Sequence, residues 1–479
     1  MTYPAIQFFI DGKWCSAIAG RTTPVLNPAT RTSLADMPVA DRADLDNALA
    51  AAEAAFRVWK KVTPFERYKL MRKAAENLRA FAPEAARWMT QEQGKPIAEA
   101  MAEFSNAADI LDWFAEEGRR AYGRIIPPRL EGIFQAVVKE PVGPVAAFTP
   151  WNFPVVQAIR KVAGAIAAGC SIILKGPEET PASCVAMVRA FADAGLPPGV
   201  LNLVFGVPED ISSYLIASPV IRKISFTGST AVGRHLASLA GTHMKRATME
   251  LGGHGPVIVT DDVDVETTAQ LLATSKYRNA GQVCISPTRF LVQKKVYGRF
   301  VERFAVVARG LKVGNGLEEG TQMGPLAHDR RLLAMESFVS DAVKVGARVL
   351  AGGGQVSGNE GYFFQPTVLT DVPLSARIMN EEPFGPVAPI AAFGSIDEVI
   401  AEANRLPYGL TAYVYTASAK TASRLSEDLE AGMVSINHQA LPLAETPFGG
   451  VKDSGYGLEG GSEGLEAYLN SKLISRRDL

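Results

Sequence analysis

Apolar residues between position 41 and about position 120 recur every three to four places, which predicts helices. Asp41 can cap the first, with Leu45, Ala48, Leu49, Ala52 and Phe56 along its inner stripe. Thr63-Pro64-Phe65-Glu66 reads as a second start: a cap, a proline at the first helical position and an acid at the third. Gly94 and Pro96 mark its end. From Pro144 the pattern changes. Short strand-like runs at Val145–Phe148, Ser171–Lys175, Leu201–Phe205, Ile221–Phe226 and Ala247–Leu251 alternate with amphipathic stretches such as Val155–Ala168 and Ala182–Ala194. A second alternating set runs from Pro256 to about Asn437, with strands at Pro256–Thr260, Arg289–Gln293, Val387–Phe393 and Ala412–Tyr415. Such alternation predicts βαβ units, parallel sheets and an α/β fold with two domains. Two short strands flank the turn pair Asp11-Gly12 at the start. Ala121–Pro141 and Leu465–Arg477 read as edge strands with little core of their own, elements that usually pair with something, such as another subunit.

Composition narrows the function classes. A chain of 479 residues exceeds one ordinary core, and 47% apolar with 21% charged residues is a soluble globular composition. Forty-nine basic against 50 acidic side chains give no electrostatic case for nucleic acid or an anionic membrane. MTYPAIQFFIDGKW lacks a basic stretch followed by a long apolar run, so no signal peptide is expected, and the apolar run Val162–Leu174 is far short of the ~20 residues a membrane helix needs. A cytoplasmic location is expected. Cys15, Cys170, Cys184 and Cys284 are scattered and the five histidines form no HExxH, so neither disulfides nor a metal site is expected.

Chemistry concentrates in a few short stretches. N-A-G-Q-V-C-I-S-P-T-R-F, residues 279–290, places a lone cysteine after a glycine turn, where it can be presented rather than buried. In F-T-P-W-N-F-P a strand end delivers Asn152, an amide able to donate to an oxyanion. In I-L-K-G-P-E-E-T-P another delivers Lys175 and Glu178, suited to ribose hydroxyls. In F-T-G-S-T-A-V-G a strand passes Gly228 and enters a helix near Ser229, where free amides can hold a phosphate. In M-E-L-G-G, Glu250 stands beside a cleft as a candidate base. Singly, each also fits an ordinary turn or solvated surface, and no GxGxxG fingerprint is present.

FTPWNFP, LKGPEETP, FTGSTAVG, MELGG, NAGQVC, EEPFGPV and PFGGVKDSG occur in an order and spacing that resembles the aldehyde dehydrogenase superfamily over essentially the whole chain. The resemblance implies a Rossmann-like NAD-binding domain (residues 1–120 and 142–252), an α/β catalytic domain (253–450) and oligomerisation strands (121–141 and 458–479). It implies a homodimer or homotetramer acting on a small-molecule aldehyde. Cys284 is then the nucleophile, Asn152 the oxyanion donor and Glu250 the base that activates water. Pro150, Trp151, Lys175, Glu178, Gly228, Ser229, Leu251, Glu382 and Phe384 would contact the cofactor. Glu178 would repel a 2′-phosphate, favouring NAD over NADP.

Within the superfamily the chain is most similar to the succinate-semialdehyde dehydrogenase group. Arg160 and Arg278 match positions that bind the substrate's distal carboxylate. Other ω-carboxylated aldehydes, such as 2-oxoglutarate or glutarate semialdehyde, and neutral aldehydes are the alternatives. Two departures stand out: Pro442 or Leu443 replaces the group's substrate-binding serine, and Ser286 stands where some members carry a second cysteine.

Overall fold

The computed structural model describes residues 2–477. Met1, Asp478 and Leu479, the last two closing the tail expected to pair as a strand, lie outside the described residues. Near the amino end, Phe8–Ile10 and Lys13–Cys15 pair through Asp11 and Gly12, whose φ values of 51° and 75° suit a tight hairpin. Helix α1, Arg42–Trp59, begins with a reciprocal cap: Asp41 accepts the Asp44 amide at 3.2 Å and Asp44 accepts the Asp41 amide at 3.0 Å. Its inner stripe runs from Leu45 to Trp59, with Ala55 buried and Phe56 half-buried. Helix α2, Pro64–Gln93, starts where Thr63 Oγ1 accepts the Glu66 amide. It stops at Gly94, which is left-handed and lies where a Cβ would press Pro325 at 2.7 Å. Helix α3, Ile97–Glu117, packs against it.

Two sheets follow. The first has eight strands, in spatial order Lys13–Cys15, Phe8–Ile10, Leu201–Val204, Ile172–Lys175, Val145–Phe148, Lys223–Thr227, Arg246–Glu250 and Gly455–Tyr456. Its five inner strands are parallel, joined by α4 (Pro154–Ala168), α5 (Pro181–Asp193), α6 (Pro208–Ala217) and α7 (Thr230–Thr242). The second has seven: Arg348–Ala351, Thr367–Thr370, Val387–Phe393, Pro287–Gln293, Gly255–Val259, Thr411–Tyr415 and Met433–Ile436. All but the first of these run parallel. Helix α8, Val265–Tyr277, links two of them.

Each sheet has its own apolar core, one built mainly from residues 6–251 and one from 257–429. Every residue of α4 is buried, including Gln157, Arg160 and Lys161. A helix sealed on all sides carries polar groups only where something compensates them.

A third, antiparallel sheet joins Leu469–Arg477 to Ile133–Pro141, and that to Arg124–Ile126. The tail strand therefore starts later than its apolar pattern suggests. Residues 461–466 form a short helix, and Leu465, Tyr468 and Leu469 enter the first core. Among the described residues, no helix is long and apolar enough to cross a membrane.

Candidate active site

Cys284 is presented by an unusual backbone. Helix α8 ends at Tyr277, and Asn279, Ala280 and Gly281 then follow with φ of 49°, 52° and 71°. Left-handed backbone costs a non-glycine residue roughly 1–2 kcal/mol, so neighbours must hold this turn. The Asn279 amide donates to Glu99 Oε2 at 2.9 Å, and Asn279 Nδ2 donates to the Asn152 carbonyl at 3.0 Å. Gln282 Nε2 donates back to the Asn279 carbonyl at 3.1 Å, and its Oε1 accepts the Ala327 amide. Gly281 is required for space as well as conformation, because a Cβ there would lie 2.2 Å from the Gly385 carbonyl oxygen. The outcome is a half-buried thiol on a cavity wall.

Asn152 faces that turn from the loop after Val145–Phe148, and its Nδ2 donates to the Gln282 carbonyl at 3.1 Å. An amide nitrogen carries two hydrogens, so one donor is left for a ligand. The Asn152 backbone is pinned by a buried ion pair that the sequence did not reveal. Lys95 Nζ donates to the Asn152 carbonyl at 2.8 Å and to Glu103 Oε2 at 2.6 Å. Glu103 Oε1 in turn accepts the Val155 and Val156 amides, the first of α4, which has no side-chain cap of its own. The carboxylate thus satisfies orphan amides and sits at the positive end of the helix dipole.

Glu250 closes the strand Arg246–Glu250, and neither of its buried carboxylate oxygens has a hydrogen-bond partner. Burial, then the field of Glu459, pushes its carboxyl well above the usual range, against the opposing fields of Lys161 and Arg160. Glu459 itself is bonded by Lys161 and, at 2.8 Å, by Ser225. Burial first, then Glu382 and Glu250, pushes the Cys284 thiol up to about 12, while the amides of Ile285 and of Cys284 itself oppose this. In this state the group is a thiol rather than a thiolate.

The other sequence-predicted residues stand at strand ends and helix starts of the first sheet or in the loop before Val387–Phe393 of the second. Lys175, at the end of Ile172–Lys175, pairs with Glu178 at 2.5 Å. Ser229 caps α7 by position, yet its hydroxyl bonds none of the helix's own amides. The Gly228 amide donates to the Glu250 carbonyl at 3.1 Å, tying that turn to the next strand. Leu251 is buried against Gly233 of α7, where a Cβ would lie 2.2 Å from Leu251 Cδ2. From the second sheet, Glu382 Oε1 accepts the Gly253 amide at 3.0 Å. A Cβ on Gly252 would meet Glu382 Oε2 at 2.7 Å and Thr230 Oγ1 at 3.2 Å, which places Glu382 beside the start of α7. Burial pushes its carboxyl up to about 7, opposed by Gly253, Arg331 and Lys276. The Trp151 and Phe384 rings meet edge to face at 5.6 Å, just after Pro150.

A cavity of about 290 Å³ leads away from Cys284. Its walls include Phe153, Val156, Val283, Ile285 and Phe448, and its charged lining includes Arg160 and Arg278. Arg160 is buried; its Nη2 donates to the Pro442 carbonyl at 3.3 Å, and its Nη1 has no partner. Arg278 is exposed, with its guanidinium 5.6 Å from the centre of the Phe153 ring. Gln157 also lines this space and was not foreseen. The available signal was its place in VVQAIRK, an otherwise apolar stretch. Lys95, Glu99 and Glu103 left no local signal.

A presented cysteine, an amide donor and a sealed carboxyl thus stand together between two largely parallel sheets, an arrangement that fits an oxidoreductase acting on aldehydes. A family model described as the aldehyde dehydrogenase family matches residues 14–474. The chain belongs to that family, which uses NAD or NADP. It is 49% identical to 4-(hydroxymethyl)benzenesulfonate dehydrogenase TsaD1 of Comamonas testosteroni, with 98% of each chain covered. It is 44% identical to 3-sulfolactaldehyde dehydrogenase of Pseudomonas putida, covering 98% of this chain and 96% of that one. The crystal structure of succinate-semialdehyde dehydrogenase from Burkholderia pseudomallei superposes with a TM-score of 0.97 at 41% identity, covering 99% of this chain and 98% of that one.

The strand-end and loop residues fit a dinucleotide. The Ser229 hydroxyl is free of the helix it caps, and the half-exposed Glu178 can accept from ribose while Lys175 stays close.

Proposed function

We propose that this enzyme oxidises an aldehyde bearing an anionic group at its far end to the carboxylic acid, with NAD as the acceptor. One observation carries the reading: Cys284 shares its cavity with two arginines, and among the described residues the buried Arg160 guanidinium has a single hydrogen bond, to the Pro442 carbonyl. A buried charged donor left unpaired is costly, and a ligand anion removes that cost. Arg278 lies on the same cavity. Succinate semialdehyde, oxidised to succinate, is one such substrate. The relatives named for benzenesulfonate and sulfolactaldehyde chemistry support a sulfonate in the same place.

The residues divide the work as follows. Cys284 first gives up its thiol proton to solvent; the thiolate Sγ then attacks the aldehyde carbon, and the carbonyl oxygen takes the negative charge. The second Asn152 Nδ2 hydrogen and the Cys284 backbone N–H stabilise it. A bound NAD supplies the two-electron acceptor needed to turn this adduct into a thioester. Glu250, whose raised proton affinity makes it a competent base, takes a proton from water. That water cleaves the thioester, releasing the acid and restoring the thiol. Lys175, Glu178, Ser229 and Glu382 hold the dinucleotide, with residues 1–120 and 142–252 forming the cofactor half and 253–450 the catalytic half. The three-stranded sheet, whose Ile125 and Leu473 are exposed, supports contact with a second subunit.

The test compares kcat/KM for succinate semialdehyde and butanal in the wild type and in Arg160→Met. A hydrogen bond to a charged group is worth ~1.5–3 kcal/mol, so the semialdehyde should lose roughly 10- to 150-fold relative to butanal. An equal loss on both substrates, or a wild type that favours butanal, would overturn the reading.

A further inference from the structure

We propose that Gln157 is a specificity-determining residue that makes the far end of the cavity select a sulfonate over a carboxylate. This rests on the anionic-end reading above and deepens it.

Gln157 lies one helical turn before Arg160 on α4, so the two side chains share a face. Both line the cavity with Arg278. Gln157 is only 4% exposed, its Oε1 is sealed without a partner, and no side-chain hydrogen bond holds its amide among the described residues. An amide in that state is incomplete without a ligand. Among the described residues the Nε2 end has no hydrogen-bond partner, and it is not sealed, so its two hydrogens are the ones left to the cavity.

The Pro442 segment of the wall supplies no donor, since proline has no amide hydrogen and the Leu443 amide is bonded to the Leu441 carbonyl. The Pro442 carbonyl already accepts from Arg160, and Leu443 follows it. The acids on the lining are also accounted for: Glu103 is neutralised by Lys95 at 2.6 Å, and Glu99 accepts the Asn279 amide at 2.9 Å.

Side-chain donors on the lining come from Arg160, Gln157, Arg278 and Asn106; Asn106 belongs to α3, whereas Gln157 shares a helix face with Arg160. A carboxylate has two oxygens in one plane, which an arginine fork can match alone. A sulfonate has three oxygens on a tetrahedral sulfur, and the third lies out of any plane the other two share with the sulfur. A neutral amide beside the fork gives that third oxygen a donor without adding charge. With a carboxylate the same amide must share an oxygen that the fork already holds, out of the plane the fork fixes, and a site built to hydrogen-bond a third oxygen discriminates against ligands that lack it.

The experiment uses three aldehydes of matched chain length: 3-sulfopropanal, succinate semialdehyde and butanal. In each enzyme, kcat/KM for the two anions is divided by that for butanal, so that general damage cancels. The wild type should favour the sulfonate over the carboxylate by about tenfold, the worth of one hydrogen bond to a charged group. Gln157→Met, which keeps the bulk and removes the donor, should erase that preference. A variant-free arm compares propanesulfonate with butanoate as competitive inhibitors of the wild type, and propanesulfonate should bind more tightly. An unchanged sulfonate-to-carboxylate ratio in Gln157→Met, or a wild type that prefers the carboxylate in either arm, overturns the role of Gln157 alone. A wild type that handles butanal as well as both anions overturns the anionic-end reading with it.

Discussion

The two sheets reach the site from opposite ends of their strands. In the first, the side chains leave carboxyl ends. Lys175 and Glu250 are last residues of strands, and Asn152 and Ser229 stand in the loops that follow Val145–Phe148 and Lys223–Thr227. In the second, they precede the strands: Cys284 comes before Pro287–Gln293, and Glu382 and Phe384 before Val387–Phe393. Open parallel sheets bind ligands beyond their carboxyl ends. The first sheet follows that rule, and the second meets it with its amino edge.

Strain divides the same way. Asn279, Ala280 and Phe384 are left-handed, while no non-glycine residue is left-handed in the loops that carry Asn152, Glu178 and Ser229. A carboxyl edge binds through groups the fold supplies anyway. An amino edge must be shaped by a loop that the rest of the molecule holds in place.

That contrast predicts that damage to the amino edge removes chemistry and leaves cofactor binding intact. The largest effect is expected for Cys284→Ser. It should bind NAD, followed by calorimetry, yet show no burst of reduced cofactor, with turnover lower by several orders of magnitude. A clear burst would take the nucleophile role from Cys284.

Glu250→Gln should slow turnover by roughly 10²- to 10⁴-fold while still forming the thioester, seen by mass spectrometry as an acyl adduct on Cys284. Its pH profile tests the environment of the carboxyl. Because the proton affinity of Glu250 is raised, the wild-type hydrolysis rate should fall with acid at a pH above the ordinary carboxylate range. The Gln variant should lack that limb. Wild-type release of the acyl group by the variant would assign the base elsewhere.

Gly281→Ala probes the strained turn directly. Its Cβ would collide with the Gly385 carbonyl, and its φ of 71° is unfavourable for alanine. A shift of about 1 Å in the thiol costs on the order of 10²-fold in rate. NAD affinity should stay within a few fold. Equal losses in NAD affinity and kcat would show that the two edges are not separable.

Legibility followed the same division. Asp41 and Thr63 could be read as caps because capping acts within three residues, and the strand-helix alternation announced parallel sheets. Asn152, Lys175 and Glu250 were visible because a strand end followed by a turn is a local pattern. The support of the amino edge was not. Lys95 holds the carbonyl of Asn152 from 57 residues away, on the segment between two other helices. Glu99, on α3, holds a turn 180 residues further on. Gln157 became meaningful only once α4 proved buried on every side. The tail misled in a different way. Leu465 and Tyr468 look like part of an apolar strand, but their burial serves the first core, and pairing starts only at Leu469.

The smallest effect belongs to the carboxyl edge. Glu178 is paired with Lys175, but its side chain is 30% exposed, and a pair with one exposed partner contributes little to stability. Glu178→Ser should therefore fold normally. Its effect should fall on cofactor choice, because the carboxylate can accept from a ribose hydroxyl and repels a phosphate at that position. Removing it also frees the buried Lys175 ammonium to meet such a phosphate. The ratio of kcat/KM with NADP to that with NAD should rise about tenfold, within the range for one hydrogen bond to a charged group. At saturating NAD, kcat should barely move, since the thiol and its turn belong to the other sheet. A wild type that already prefers NADP, or a variant with an unchanged ratio, would mean that this ion pair lies away from the adenosine ribose. A fall in kcat without a change in the ratio would instead tie the pair to the chemistry, against the division between the two edges.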